Sequence, residues 1–294
     1  KAPKFVLHPQ RSITAHARDV AAGFGFSDPG SVVLQALPFC GVFGFSQAMG
    51  TLASGNPMIL PETFEPEGLV ELGDARGLPL VGLYGMSEIQ ALFARQSSGD
   101  PSARRALGGG RLISPRARIR ARDPESGALL PDGAPGELEA AGPSRMARYF
   151  EDLEATAEAL TEDGFVRTGD LGYTTPDGFV FQTRMGDALR LGGFLVSPLE
   201  ISGFIEGLPG VDACQVVGID GPRGTEAVAF VVPKQGGGID VEATREACRS
   251  GMARFKVPKA IYIIDAFPVT DSANGIKIQR NKLREMAARL LGRD

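Results

Sequence analysis

The sequence predicts an α/β domain with a large mixed sheet, followed by a smaller α+β domain. Short apolar runs alternate with turn signals through segment 1–186, as expected for a large sheet with helices. Beyond it, helix and strand patterns alternate over about 100 residues, the size of a small domain. We therefore set the domains at 1–186 and 187–294. Glycine (39) and proline (21) are spread through the 294 residues without a period, which excludes collagen and coiled coils.

The first domain is marked by strand patterns that turn residues separate. These patterns predict strands over 32–37, 57–60, 80–84, 116–123 and 136–141, the last two as a half-exposed antiparallel pair. Segment 152–160 has helical periodicity. A turn is expected at Thr175-Pro176-Asp177-Gly178, because proline presets its own φ and glycine accepts a positive one. It joins 167–173 and 179–184 in a hairpin.

The second domain carries clear helix signals. Ser197-Pro198-Leu199-Glu200 combines a capping box with proline at the first helical position, which predicts a helix over 198–206. Periodicity predicts further helices over 241–252 and 279–291. Strands are expected over 213–219, 227–232 and 260–264.

The composition excludes several classes of function. Lys and Arg total 31 against 35 Asp and Glu, so the net charge is -4 and the sequence pI is about 5.4. A mildly acidic field does not attract nucleic acid or anionic membrane, and neither is expected as a partner. The most apolar stretch, 32–49, is interrupted by polar residues, proline and glycine, so no integral membrane segment is expected.

Cysteine and histidine limit the redox setting and the metal chemistry. The three cysteines are far apart and odd in number, which gives no disulfide framework and indicates a reducing, cytoplasmic location. The two histidines, His8 and His16, are too few for a histidine-based metal site. Any metal is therefore expected to use oxygen ligands.

The first segment that indicates chemistry is YGMSE, which runs from Tyr84 to Glu88 at the end of a predicted strand. In an open α/β sheet, ligands gather at the carboxyl ends of the strands. Glu88 can hold Mg²⁺ beside a phosphate, and Ser87 can hydrogen-bond a phosphate oxygen. Taken alone, the segment fits a helix N-cap at Ser87 better than a phosphate or metal site.

Two further segments each centre on an aspartate. Segment 167–172 contains Asp170, whose carboxylate can accept both hydroxyls of a ribose; an ordinary Gly-Asp turn explains the segment equally well. Segment 184–193 lies at the predicted domain border and contains Asp187 and the pair Gly192-Gly193. It can absorb the φ/ψ changes of a hinge or let a ligand approach the backbone. The alternative is a flexible linker with a solvated charge pair.

The fourth segment, 270–280, is a polar loop that presents Lys277 immediately before the last predicted helix. A lysine on a mobile loop can bring a point charge to a developing anion. Without other information, a solvated surface cation is the more common explanation.

The order and spacing of the four segments strongly resemble those of the adenylate-forming enzymes. This superfamily comprises acyl- and aryl-CoA synthetases, nonribosomal-peptide adenylation domains and firefly luciferase. The resemblance extends over nearly the whole chain. The matching runs are PKFVLH at 3–8, LPFCGVFG at 37–44, YGMSE at 84–88, GELEAAGPSRMARYF at 136–150, DGFVRTGDLGY at 163–173, GGFLVSPLEI at 192–201 and GIKIQRNKLRE at 275–285.

The resemblance implies a role for each matching residue of the YGMSE segment. Tyr84 would stack on adenine, with Gly85 beside it in the nucleotide site. Ser87 would contact phosphate, and Glu88 would coordinate Mg²⁺.

The resemblance also implies roles for the three later segments. Asp170 and Arg184 would hold the ribose, and Asp187 would be the hinge. Lys277 would be the mobile catalytic lysine, between the substrate carboxylate and the α-phosphate. Gly193 belongs to a turn that would line the pantetheine channel.

The implied activity is ATP-dependent conversion of a carboxylic acid to an acyl-adenylate, followed by transfer to the CoA thiol. Segment 1–186 would be the C-terminal part of the large adenylating domain, and 187–294 the small mobile domain. The implied ligands are a small carboxylic acid, ATP, Mg²⁺ and CoA. Fatty acid metabolism is the expected metabolic context. A homodimer is one possible oligomeric state. Two rivals remain: an enzyme that loads a carrier protein, and an inactive nucleotide-binding relative.

Three departures from the family pattern are visible. Of the glycine-rich phosphate loop the sequence has only the tail, with Lys4 in the lysine position and Phe5 where glycine is usual. Segment 65–72 resembles the start of a helix, and several dozen residues expected after it are absent. Cys40-Gly41 replaces an aromatic residue and a histidine at the acyl-site entrance, and we expect Cys40 to be a small buried hydrophobe.

Overall fold

The computed structural model describes residues 4–61, 68, 76–222, 224–272 and 275–293, with the backbone alone at 271, 272 and 275–277. The chain forms two compact units, Lys1–Phe181 and Gln182–Asp294. Their border falls inside a strand, a few residues before the 186/187 border that the sequence suggests. No helix within the described residues is long and apolar enough to cross a membrane.

The first unit combines short peripheral strands, helices and one large sheet. Its described elements are β1 (Val6–Leu7), α1 (Gln10–Gly23), β2 (Val33–Leu34), α2 (Val42–Ser54), β3 (Met58–Ile59), β4 (Leu83–Met86), β5 (Gln90–Arg95), α3 (Ser102–Arg105), β6 (Gly108–Leu112), β7 (Arg118–Arg122), β8 (Gly136–Ala141), β9 (Arg148–Tyr149), α4 (Leu153–Ala159), β10 (Val166–Thr175) and β11 (Gly178–Arg184).

The large sheet has seven strands in the order β4-β5-β6-β11-β10-β8-β7. Phe93, Leu138 and Phe179 are fully buried in its core, with Tyr84 packed beside them. The predicted antiparallel pair is confirmed as β7 and β8, and the predicted hairpin as β10 and β11. Runs of strand-forming residues give these strands, and the turn residues between the runs end them.

Strand β8 is more buried than the half-exposed strand that we expect from its sequence. The Glu139 carboxylate has no solvent exposure. A buried carboxylate is costly unless it is paired. Here Arg120 Nε lies 2.5 Å from Oε2 and Arg122 Nε 2.9 Å from Oε1, both from β7. Ion pairs with the alternating arginines of β7 therefore offset the cost of burying the Glu139 carboxylate.

The apolar stretch after residue 40 forms a helix. β2 and β3 are much shorter than the predicted strands, and they pair in parallel with α2 between them. Two parallel neighbours require a crossover connection, and α2 supplies it. The loop before α2 exposes Cys40, so the prediction of a buried cysteine is wrong. The expected helix start at 65–72 lies outside the described residues, except for residue 68.

The second unit is an α+β unit, and the predicted fold class is confirmed. Its described elements are β12 (Leu189–Leu191), β13 (Phe194–Val196), α5 (Pro198–Glu206), β14 (Val211–Gly221), β15 (Gly224–Pro233), α6 (Val241–Gly251), β16 (Ala260–Ile263), β17 (Val269–Ser272), β18 (Gly275–Ile278) and α7 (Arg280–Leu290).

The sheet β14-β15-β16 is mixed and is covered on both faces. Val216 and Val231 belong to the apolar cluster with α5 and α6, whereas Val217 and Phe230 belong to the cluster with α7. Because successive side chains point to opposite faces of a strand, the continuous apolar run of β15 fills both clusters.

Two hairpins complete the second unit. β12 and β13 are joined by Gly192 and Gly193, whose φ values of 57° and 88° suit a two-residue turn that requires positive φ. β17 and β18 form the second hairpin, in which Lys277 pairs with Thr270. Lys277 therefore lies on a strand and not on the loop that its polar surroundings predict.

Candidate active site

Gly85 lies on β4, and the chain then passes through a 3-10 turn, Ser87–Ile89, before β5 returns beside β4. A Cβ at Gly85 would be 2.5 Å from the Ala91 Cα atom, so the close approach of the two strands requires glycine. Gln90 ends the turn at φ 59° and ψ 158°, a region that residues other than glycine rarely adopt. Such backbone strain is typical of functional sites, and here it lies two residues after Glu88.

A buried hydrogen bond joins Tyr84 to Asp170. The Tyr84 hydroxyl donates to Asp170 Oδ2 over 2.6 Å, and the two residues are 6% and 2% exposed. The Tyr84 ring meets the Phe179 ring edge to face, with centroids 5.0 Å apart. A charge-assisted bond in such a dry setting fixes the orientation of both side chains.

A bulge in β10 determines the position of Asp170. The pairing with β8 shifts register between Arg167 and Leu171. Within the bulge, Thr168 Oγ1 donates to the Leu138 carbonyl over 2.7 Å and accepts the Asp170 N–H over 3.1 Å. Bulges commonly redirect a side chain beside a site, and this one turns a carboxylate toward Tyr84.

Glu88 is half-buried and is held by Tyr149 of β9. The Tyr149 hydroxyl donates to Glu88 Oε1 over 2.6 Å, and the Met146 N–H donates to the Glu88 carbonyl over 2.7 Å. Burial, and then the bond to Glu88, raise the pKa of the Tyr149 hydroxyl, so it stays protonated as a donor. The Lys4 ammonium lies 4.8 Å from the Tyr149 ring centroid.

Ser87 is exposed and is positioned through its backbone. Its carbonyl accepts a hydrogen bond from His8 Nε2 over 2.7 Å. Burial lowers the pKa of His8, which favours the neutral imidazole. Met86, not Ser87, precedes the 3-10 turn as its cap, and it makes no side-chain capping bond. The alternative interpretation of Ser87 as a helix N-cap is therefore wrong.

In the second unit, Asp187 is held from the last helix. It ends the 3-10 turn Met185–Asp187, which follows Arg184 at the end of β11. Arg280 Nη1 lies 2.7 Å from Asp187 Oδ2, and Arg284 Nη2 lies 3.5 Å from Oδ1. Each of the three side chains is about a third exposed. The linker carboxylate is thus tied to α7 by partly solvated ion pairs.

A basic cavity of about 1070 Å³ opens beside the Gly192-Gly193 turn. Phe255 forms part of its wall and stacks on Phe194, with ring centroids 4.7 Å apart. The lining also carries four cationic side chains, Arg245, Arg249, Arg254 and Lys259, and one acidic side chain, Glu226. Arg245 and Arg249 form ion pairs with glutamates of α6. Cations beside an aromatic surface can bind phosphate groups and a planar base.

Residues 200–274 match the family model of the AMP-binding enzyme C-terminal domain. The chain is 37% identical over 209 residues to a sulfoacetate–CoA ligase of Cupriavidus necator, covering 70% of this chain and 40% of that protein. It is 31% identical over 255 residues to a mitochondrial medium-chain acyl-CoA ligase of Danio rerio, covering 85% of this chain and 40% of that protein. ATP-bound MatB of Rhodopseudomonas palustris superposes with a TM-score of 0.77 at 25% identity, over 94% of this chain and 64% of that one. This chain belongs to the adenylate-forming superfamily.

The chain spans about two fifths of the length of these two curated CoA ligases, 40% in both cases. Five predicted site residues of this superfamily member lie in the first unit: Tyr84, Gly85, Ser87, Glu88 and Asp170. The hydrogen bond between Tyr84 and Asp170 brings two of the predicted segments together. The other four predicted residues lie in the second unit: Arg184, Asp187, Gly193 and Lys277. The Lys277 side chain lies outside the described part of the structure.

Two residues beside the site are missing from the sequence prediction. His8 and Tyr149 lie within runs that resemble the superfamily, yet nothing in their local sequence indicates a partner. Tyr149 and Glu88 are 61 positions apart, and His8 and Ser87 are 79 apart. Only the pairing of distant segments brings these residues together.

Proposed function

We propose that the chain is the nucleotide- and thiol-binding portion of an ATP-dependent, AMP-forming acid–thiol ligase. It would activate a small carboxylic acid as an acyl-adenylate and transfer the acyl group to CoA. The observation that carries the proposal is the buried bond that Tyr84 of β4 donates to Asp170. Tyr84 lies four residues before Glu88, which belongs to the 3-10 turn after β4. The bond brings an aromatic ring and a carboxylate together, and a second carboxylate follows Tyr84 closely in the chain.

The roles proposed for the nucleotide follow from the groups and their settings. The Asp170 carboxylate, oriented by Tyr84, would accept the ribose hydroxyls, and Arg184 would support it. The exposed Ser87 and Lys4 would bind phosphate. Gly85 lets β4 pass close to β5 directly after Tyr84. Adenine stacking by Tyr84 is part of this proposal.

Glu88 suits a divalent cation. A hard carboxylate oxygen is a typical ligand for Mg²⁺, which takes most of its other ligands from phosphate and water. Oε1 accepts the Tyr149 hydroxyl, so the carboxylate has a fixed direction. When bound, Mg²⁺ would offset phosphate charge at the reacting centre.

Lys277 and Asp187 are proposed for the two halves of the reaction. Adenylation brings a carboxylate and a phosphate together, and an ammonium near both would reduce their repulsion. Lys277 lies on β18, three residues before α7 begins, and Asp187 is held by that helix. Movement at Asp187 would therefore carry the lysine with it, which suits a lysine needed in only one half-reaction.

The basic cavity favours CoA as acceptor. CoA carries an adenine nucleotide with several phosphates, and the four cations and Phe255 of the cavity suit such a group. A carrier-bound phosphopantetheine arm lacks that nucleotide. Gly193 belongs to the turn beside this cavity, which supports its proposed place near the pantetheine arm.

The substrate class and setting are part of the proposal. A cavity of about 260 Å³ has a polar side with Lys4, His8, Ser87 and Gln90 and an apolar side with Phe5, Val6, Ile13, Val42 and Phe45. The apolar side supports an apolar acid of the kind found in fatty acid metabolism. Free Cys40, Cys214 and Cys248 support a reducing, cytoplasmic location. A homodimer stays a prediction.

Two assays on the full chain test the proposed function. ATP–pyrophosphate exchange with a panel of carboxylic acids should show acid-dependent exchange, and a coupled assay should show consumption of CoA. Exchange without CoA consumption would indicate a carrier-protein acceptor. No exchange with any acid, together with nucleotide binding in calorimetry, would indicate an inactive relative.

A further inference from the structure

Three separate segments of the first unit converge on Tyr149. Its hydroxyl donates to Glu88 Oε1 over 2.6 Å, and the Lys4 ammonium lies 4.8 Å from its ring centroid. The side chain is 5% exposed and packs in the apolar cluster with Met146 and Ala155. A buried ring therefore presents its polar tip to a carboxylate and one face to a cation.

The backbone around Tyr149 fixes where this hydroxyl lies. β9 pairs with β1, with Tyr149 opposite Val6, and the Phe150 N–H donates to the Phe5 carbonyl over 2.7 Å. The Tyr149 N–H donates to Thr156 Oγ1 of α4 over 3.0 Å. With its ring packed and its backbone bonded on two sides, Tyr149 has little freedom to turn away from its acceptor.

Glu88 is held by the same segment at a second point. Its carbonyl accepts the Met146 N–H, so both its backbone and its carboxylate are tied to segment 146–149. A hydroxyl bound to one carboxylate oxygen fixes the plane of the group and hence the direction of the other oxygen. A carboxylate oriented before binding loses less freedom when it takes up a ligand.

The contact between Lys4 and the ring has a different consequence. A carboxylate partner would neutralise the ammonium, whereas an aromatic face holds the cation and leaves its full charge. An ammonium held in this way can still attract phosphate. The Tyr149 ring and hydroxyl therefore serve two neighbouring groups of opposite charge.

We infer that Tyr149 is a positioning residue: its hydroxyl orients Glu88 toward a divalent cation, and its ring seats Lys4 for phosphate. The inference rests on the proposed function, which assigns the cation to Glu88. Tyr149 itself touches neither reacting group. Its effect should therefore appear in metal dependence and not in the chemical step at saturating metal.

Tyr149→Phe keeps the ring and removes the hydroxyl. The Mg²⁺ concentration for half-maximal pyrophosphate exchange should rise about tenfold, as for other groups that orient a metal ligand. Mn²⁺ binding in the presence of ATP, followed by electron paramagnetic resonance, should weaken by a similar factor. The exchange rate at saturating Mg²⁺ should stay close to that of the wild type.

Three further variants make the test specific. Tyr173→Phe, in β10 of the same unit, is the matched control and should change neither constant. In a Glu88→Gln background, Tyr149→Phe should cause no further loss, because the hydroxyl acts through Glu88. Lys4→Met should raise the KM for ATP while leaving the Mn²⁺ constant unchanged.

The outcomes separate this inference from the proposed function. Absence of exchange in the wild type would remove the proposed function itself. Normal exchange with unshifted metal constants in Tyr149→Phe would overturn only the orienting role. An additive loss from Tyr149→Phe in the Glu88→Gln background would also overturn the orienting role. An unchanged KM for ATP in Lys4→Met would overturn the proposal that the Tyr149 ring holds Lys4 for phosphate binding.

Discussion

The two groups of predicted site residues are held in different ways. In the first unit, Asp170 is 2% exposed and bonded to Tyr84, and the half-buried Glu88 is bonded to the buried Tyr149. In the second unit, Asp187 is about a third exposed and is held by ion pairs. Gly193 lies on a two-residue turn, and Lys277 on a hairpin outside the three-stranded sheet.

The difference shows how one chain can combine fixed and movable functional groups. A buried hydrogen bond is costly to break, because each partner would be left in a dry setting without water. A partly solvated ion pair exchanges readily with water and contributes little to stability. We therefore expect substitutions in the first unit to change stability and activity together, and those in the second to change activity with little effect on stability.

Lys277→Ala should have the largest effect on activity. Loss of a group that stabilises developing charge costs about 10²–10³-fold in rate, and the loss should appear in pyrophosphate exchange. Thioester formation from supplied acyl-adenylate should be nearly normal. The unfolding free energy from urea titration should be unchanged, since β18 pairs only with β17 within the described chain.

The control for Lys277→Ala is Lys282→Ala, an exposed lysine of α7 in the same unit. It should retain both half-reactions and the same stability. An equal loss of both half-reactions in Lys277→Ala would contradict the proposed division of labour. A large loss of stability would contradict the comparison between the two units.

Tyr84→Phe should affect stability and nucleotide binding together. It removes the hydroxyl donor of a buried carboxylate, which costs about 1–3 kcal/mol of unfolding free energy. The affinity for ATP should also fall, because Asp170 loses the bond that orients it. Urea unfolding and calorimetry with ATP measure the two effects.

Tyr262→Phe is the control for Tyr84→Phe, since its ring packs beside Phe230 in the second unit and no ligand contact is proposed for it. Tyr262→Phe should change the unfolding free energy by less than about 0.5 kcal/mol.

Unchanged stability in Tyr84→Phe would show that water replaces the Tyr84 hydroxyl as the donor to Asp170, and the contrast between the two units would weaken.

Local signals in the sequence predict much of the second unit. Helix α5 lies over Pro198–Glu206, as its capping signals indicate, and Ser197 Oγ accepts the Leu199 N–H over 3.2 Å. Glu200 does not close the capping box but pairs with Lys256. Strands β14 and β15 are longer than predicted, chiefly because the polar and glycine residues next to their turn, at 220–221 and 224–226, continue the antiparallel ladder.

The first unit depends more on contacts between distant segments. Helix α1 is missing from the prediction because much of its buried face consists of alanine, serine and histidine, which give a weak apolar period. The two-residue strands β1 and β9 exist only through their pairing. The same pairing positions Tyr149 and Lys4. The sequence alone therefore indicates the Glu88 carboxylate but not Tyr149, which holds it.

Acidification should weaken the first unit selectively. Both histidines of the chain lie in that unit, and burial lowers the pKa of each. For His16, the bond from Nε2 to the Ala91 carbonyl and the charge of Asp19 oppose this shift only in part. The folded state then binds a proton less readily than the unfolded state, so stability is complete above the unfolded pKa of 6.5 and falls below it.

The loss per histidine is at most about 1.4 kcal/mol for each pH unit. Hydrogen exchange at about pH 7.5 and about pH 5.5 should show faster opening of the first unit on acidification. His16→Gln should reduce this pH dependence. A loss of protection that is equal in both units, or unaffected by His16→Gln, would assign the effect to other groups.

Arg280→Gln should have a small effect on stability and little effect on adenylate formation. Arg280 and Asp187 are 32% and 30% exposed, and exposed ion pairs contribute about 0–1 kcal/mol. A double-mutant cycle with Asp187→Asn should give a coupling free energy in that range, reduced further by salt. Arg284 remains near Asp187 in the variant, so adenylate formation should persist. A coupling above about 2 kcal/mol would mean that the linker is anchored as firmly as a buried charged bond, and a hinge at Asp187 would then be hard to reconcile with the structure.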